Sequence, residues 1–82
     1  MQVFVNSIQK LLKQKLNIYA TALTPETDLK KDLELVDWEM LYLLNAVERK
    51  WHVSIAHNEL EKIGNIEQLL AVVKKQTGKS LN

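Results

Sequence analysis

Cysteine is absent from this 82-residue chain, which excludes a disulfide framework and any thiolate for metal, redox or nucleophilic chemistry. Proline occurs once and glycine twice, leaving little of the turn chemistry that closes β-hairpins. Helices are therefore expected. Long apolar runs are missing too: none approaches the roughly 18 to 20 residues that cross a bilayer. The opening "MQVFVNSIQK" has no basic start followed by an apolar block of signal-peptide length. A soluble, cytoplasmic protein without a membrane segment is expected. Nor is there an excess of charge, since 11 Lys+Arg against 10 Asp+Glu give a net +1 and no general electrostatic pull toward nucleic acid or an anionic membrane. The basic residues gather as Lys10, Lys13 and Lys15 and again as Lys74, Lys75 and Lys79. No aromatic residues interleave with them, so they read as solvated helix faces and tails.

What is present is apolar patterning. The hydrophobic fraction of 46% suffices for one core, and a chain this short has room for only one, so residues 1–82 are expected to form a single domain with no separate catalytic unit. Val5, Ile8, Leu11, Leu12 and Leu16 recur at helical spacing opposite Gln9, Lys10, Lys13 and Gln14, predicting an amphipathic helix over about 6–16. "TPETDLKKDL" then reads as a long connection. It opens with a Thr24-Pro25 turn and has Leu29 and Leu33 as apolar anchors.

A second helix is predicted over 37–51. At about 100° per residue, Met40, Leu43, Leu44, Val47 and Trp51 fall in one core-facing sector, while Trp38, Leu41 and Tyr42 lie on another flank with Asn45 and Arg49. Asp37, at the head of this helix, reads as its N-cap. "HVSIAHNELEKI" follows as an irregular connector with Val53 and Ile55 inward and a short helix near 58–62. "NIEQ" predicts a capping box, Asn65 with Gln68, that starts a last helix over 65–76. The fold class is therefore all-α: a small bundle of three long helices and one short one, with a long first loop.

This register resembles the acyl carrier protein family. "DLELVDW" stands where that family has "DLGxDSL", "MLYLLNAVERKWHVSI" where it has its second helix, and "LEKIGNIEQLLAVV" where it has its third and fourth. No gap is needed from Ile8 to Val73, and Asp32, Leu33, Ala46, Glu48, Ile55, Glu61, Lys62 and Ile63 occupy the family's positions. The resemblance implies a cofactor, 4′-phosphopantetheine, carried on the serine of the motif. In this register that position is Asp37, whose carboxylate has no hydroxyl to attack coenzyme A. Sliding the register by one puts Trp38 there instead and turns the core stripe outward. Ser7, Ser54 and Ser80 all lie elsewhere. No cofactor is therefore expected.

The expected function is a non-carrying interaction or accessory module. The alternative is a carrier of fatty-acid, polyketide or related biosynthesis inactivated by a Ser-to-Asp change at position 37. The family docks through its second helix, so Trp38, Leu41, Tyr42, Asn45 and Arg49 form the expected surface for a protein partner, on a monomer. The competing expectation for Trp38 is that it folds back on Leu29 or Leu33 and seals the long loop. Family members usually present an acidic second helix to their enzymes. Here Arg49 and Lys50 offset Glu39 and Glu48, which weakens such steering. An enzyme is not expected: His52, Ser54 and His57 sit on an irregular connector whose spacing fixes no metal or nucleophile geometry.

Overall fold

The computed structural model describes residues 2–78; Lys79 and Ser80 lie outside them. Four helices carry the fold: α1 (Gln2–Leu16), α2 (Asp37–Trp51), α3 (His57–Leu60) and α4 (Ile66–Thr77). Helix α1 starts four residues before the predicted position, because Phe4 and Val5 are both buried. The Phe4 ring lies 4.9 Å from that of Trp51, so the start of α1 meets the end of α2 and the two long helices run antiparallel. Ile8, Leu12, Leu43, Val47, Ile66, Leu69 and Val73 close the centre, and among the described residues nothing polar is buried with them. An all-apolar core makes its contribution by area removed from water, with no buried polar side chains to satisfy.

The helix ends follow local chemistry. Asn65 Oδ1 accepts from the Gln68 N–H at 2.8 Å, while Gln68 Oε1 accepts from the N–H groups of Asn65 (3.0 Å) and Gly64 (2.7 Å). The capping box read from "NIEQ" is thus formed. A Cβ at Gly64 would stand 2.9 Å from that same Gln68 Oε1, so a larger residue there would have to push the Gln68 side chain out of its capping position. At the C-termini of α1 and α2, Asn17 (φ 57°) and His52 (φ 55°) turn into the left-handed region, where Asn and His are enriched.

The long first loop is held by backbone rather than by helix. Leu29 N–H donates to Gly64 O (2.8 Å), Ile66 N–H to Thr27 O (3.2 Å) and Glu67 N–H to Pro25 O (2.9 Å), and Asp28 bridges Asn65. Leu29 is fully buried and Leu35 nearly so, whereas Leu33 is half-buried. Leu35, absent from the predicted anchors, is therefore the loop's second pin: its N–H donates to Leu29 O at 3.2 Å. Between them Asp28 shapes a turn, its Oδ1 accepting from the N–H groups of Lys30 (2.9 Å) and Lys31 (2.8 Å). The Lys31 N–H is the main cause that holds the Asp28 carboxyl below its usual range; the partial desolvation that opposes it is outweighed once the Lys30 N–H and the two ammonium charges are added.

A group whose folded pKa is depressed stabilises the fold above its unfolded value, about 3.9, and that stability is lost as pH falls through the folded value. Thermal melts should accordingly show the transition falling below about pH 4, with a shallower fall in Asp28→Asn, which still accepts but does not titrate. An unchanged slope would remove Asp28 from the acid response.

Glu34 is the third non-glycine residue with positive φ, at 55°, and it sits where the resembled motif has glycine. Its side chain is exposed, and the residue after it, Leu35, turns into the core. Holding a Cβ there costs about 1 kcal/mol, partly offset in a glycine variant by the greater freedom of the unfolded chain. Glu34→Gly is expected to raise stability by about 0.5 kcal/mol, read from urea unfolding. A loss would mean that Glu34 makes an interaction worth more than its strain.

Candidate functional site at the head of the second helix

The first turn of α2 departs from the sequence reading in one respect. Val36, not Asp37, is the N-cap: its backbone is extended (φ −81°, ψ 168°) and its carbonyl accepts from Met40 N–H at 3.0 Å. Its own N–H donates to Glu39 Oε1 at 3.0 Å, the reach-back half of a capping box. A valine side chain has no oxygen to supply the other half. Leu35 decides this register. With Leu35 buried, its N–H bonded to Leu29 O, and the stripe Met40, Leu43, Leu44 and Val47 facing the core, the helix starts at residue 37.

Asp37 is left as the first helical residue with its side chain 98% exposed, and its Oδ1 lies 3.9 Å from Lys30 Nζ. Its charge suits the positive end of the helix dipole, and an ion pair this open to water adds little. Nothing about the position buries or confines the carboxylate, so it has no catalytic setting. From Glu34 to Met40 the chain contains no hydroxyl side chain at all.

Beyond Asp37 the flank of α2 is apolar and open. Trp38 is 63% exposed, Leu41 51% and Tyr42 45%, with Val36 exposed beside them. Trp38 therefore does not seal the long loop, whose space is taken by Leu29 and Leu35. Asn45 and Arg49 continue the same stripe and are exposed. On one side this ridge borders a groove with Met40, Leu44 and Leu60 along it; on the other it borders a groove against α1 lined by Leu11, Lys15, Tyr42, Ala46, Arg49 and Lys50.

Of the three acids of α2, Asp37 is open to solvent, whereas the two glutamates are engaged by backbone. Glu39 caps its own helix, and Glu48 Oε2 accepts from Ile55 N–H at 2.7 Å, holding the connector after α2. Sequence reasoning counted both as surface charge; the signal available for Glu39 was its place three residues after a cap position.

No family model matches the chain. Curated proteins do. It is 30% identical over 67 residues to an acyl carrier protein of Helicobacter pylori, covering 82% of this chain and 86% of that one. The chain belongs to the acyl carrier protein family. Further acyl carrier proteins, from Buchnera aphidicola (25% identical over 75 residues, 92% of this chain and 96% of the relative) and Rubrobacter xylanophilus (28% over 74 residues, 89% and 91%), match over still more of the length. The all-helical bundle with its short α3 and long first loop is the fold expected from the family resemblance. No helix among the described residues is long and apolar enough to cross a membrane, and no group of three or more His, Asp or Glu side chains among them is placed to hold a metal ion.

Proposed function

We propose that this chain is a non-carrying member of the acyl carrier protein family, a cytoplasmic accessory module that works by binding a protein partner and has no catalytic residues of its own. The observation that carries the reading is the pairing, at the head of α2, of a fully exposed carboxylate on Asp37 with an open apolar flank of Trp38, Leu41 and Tyr42.

In ungapped register Asp37 takes the place of the serine that bears 4′-phosphopantetheine in the family. The residues present do not fit that arm: attachment needs an alcohol oxygen as nucleophile, and a carboxylate offers none. Ser7 lies on α1 and Ser54 in the connector after α2, so neither substitutes. What remains functional in such a module is its surface. Large exposed apolar side chains beside polar ones mark interaction sites, and tryptophan, tyrosine and arginine are the residues that most often anchor them. Trp38, Leu41, Tyr42, Asn45 and Arg49 are assigned to that role.

The test is the intact mass of the chain purified from its native cells, together with a Trp38→Ala variant in a cross-linking comparison. The expected result is a mass equal to the bare polypeptide and a partner adduct that Trp38→Ala loses. A pantetheinyl adduct on the native chain would return it to the carriers.

A further inference from the structure

We infer that the groove between α1 and α2 receives an acidic amphipathic helix of the partner protein, with carboxylates held by Lys15, Arg49 and Lys50 and apolar residues laid against Tyr42 and Trp38. This rests on the docking role proposed for the α2 flank and adds the chemistry of what docks there.

The groove is built for opposite charge. Its floor is apolar, from Leu11 and Ala46, and its rim carries Lys15 from α1 with Arg49 and Lys50 from the last turn of α2. Among the described residues no carboxylate lies within ion-pair distance of any of the three. Lys50 Nζ stands 5.6 Å over the Trp51 ring, a contact that positions the ammonium without neutralising it. Neither glutamate of α2 lines the groove: Glu39 reaches back to the Val36 N–H and Glu48 across to the Ile55 N–H. A chain with a net charge of only +1 thus concentrates three uncompensated cations along one groove.

Tyr42 belongs both to this groove and to the exposed apolar ridge, so charge and apolar surface are continuous, as an amphipathic helix requires. α2 is 15 residues long, or about 22 Å at the helical rise, enough to seat three turns of a partner helix. Nucleic acid fits less well. The apolar half of the surface, Val36 and Leu41, gives a phosphate backbone nothing, and Asp37 stands beside it. A second copy fits less well too: a two-fold contact through this face would set the same cations against each other.

The experiment is selection from a yeast-displayed library of helical peptides with apolar residues fixed at i, i+4 and i+7 and acidic, basic or neutral residues varied elsewhere. The bait is the full chain biotinylated at its C-terminus, with counter-selection on Trp38→Ala. Enrichment of Asp- and Glu-rich peptides is expected. Their affinity should fall roughly tenfold for the Lys15→Glu/Arg49→Glu double variant, and fall as salt is raised. Lys15→Gln/Arg49→Gln should give a smaller loss of the same kind, and circular dichroism reports whether each variant is folded.

Enrichment of neutral or basic peptides, or acidic peptides indifferent to both double variants, overturns the acidic partner and leaves the docking face standing. No Trp38-dependent peptide of any charge removes the docking face itself. Self-association abolished by Arg49→Glu, or single-stranded DNA or anionic phosphatidylserine vesicles bound more tightly than the selected peptides, gives the groove to another occupant and equally overturns the inference.

Discussion

Asp37→Ser, incubated with coenzyme A and a broad-specificity phosphopantetheinyl transferase, is expected to gain the mass of one pantetheinyl arm, while the chain with Asp37 gains none. The expectation comes from placement. Residue 37 is the first of α2, its side chain is open to solvent, and Val36 and Glu39 fix the turn without using it. A serine there would present its hydroxyl at the positive end of a helix, where backbone N–H groups favour an incoming phosphate. The change is all or none, because the missing group is the nucleophile and no rearrangement of a carboxylate replaces it. Intact-mass spectrometry reads it directly. A folded Asp37→Ser chain that stays unmodified would show that the departure from the carriers extends beyond one side chain, to the neighbouring Val36 and Trp38. Modification of the Asp37 chain would end the proposal.

The second large effect is on stability. Leu29→Ala is expected to cost about 3 kcal/mol, within the range of roughly 2–5 for a fully buried leucine. Leu29 is 0% exposed although it lies in a loop, and both its backbone groups are used, the N–H by Gly64 O and the carbonyl by Leu35 N–H. Truncation would empty the space under the loop while the backbone bonds hold its walls apart, so the site has little freedom to collapse. For a domain of this size such a loss is a large fraction of total stability, on the order of 15 °C in the melting transition. Leu33→Ala, at a half-buried position, should cost about a third as much. Chemical denaturation of the two variants side by side checks the order, and equal losses would mean that the loop is pinned at both leucines alike.

The helical bundle was legible because its stripes are regular. Met40, Leu43, Leu44 and Val47 on α2 and Ile66, Leu69, Leu70 and Val73 on α4 repeat at helical spacing, and each is buried. The start of α1 was not legible, since Val3, Phe4 and Val5 form a run without helical period and no cap residue precedes them; Phe4 is drawn into the helix by a ring contact with Trp51, more than half the chain away in sequence.

At the site, the outward flank followed from angle alone, and Trp38, Leu41 and Tyr42 are exposed as their angular positions require. Asp37 was misread as the cap because local preference favours aspartate there, whereas the burial of Leu35 shifts the cap back by one residue and leaves it to a valine. The same blindness covered Glu39 and Glu48. Counting charges along a helix does not tell which way each side chain reaches: Glu39 and Glu48 turn to backbone N–H groups, while Arg49 and Lys50 line the groove against α1.

The hydrogen bonds from Leu29, Ile66 and Glu67 join two stretches nearly half the chain apart. Loop closure on that scale is rewarded only after α1, α2 and α4 have come together, so the clasp forms late and opens only when the whole molecule does. Amide exchange at these three residues should consequently proceed at the rate of global opening. The long loop is then no lid over a site but a buckle, and the chain's tolerance for cuts and insertions shifts upstream of it, to the exposed bend at Thr21 and Ala22.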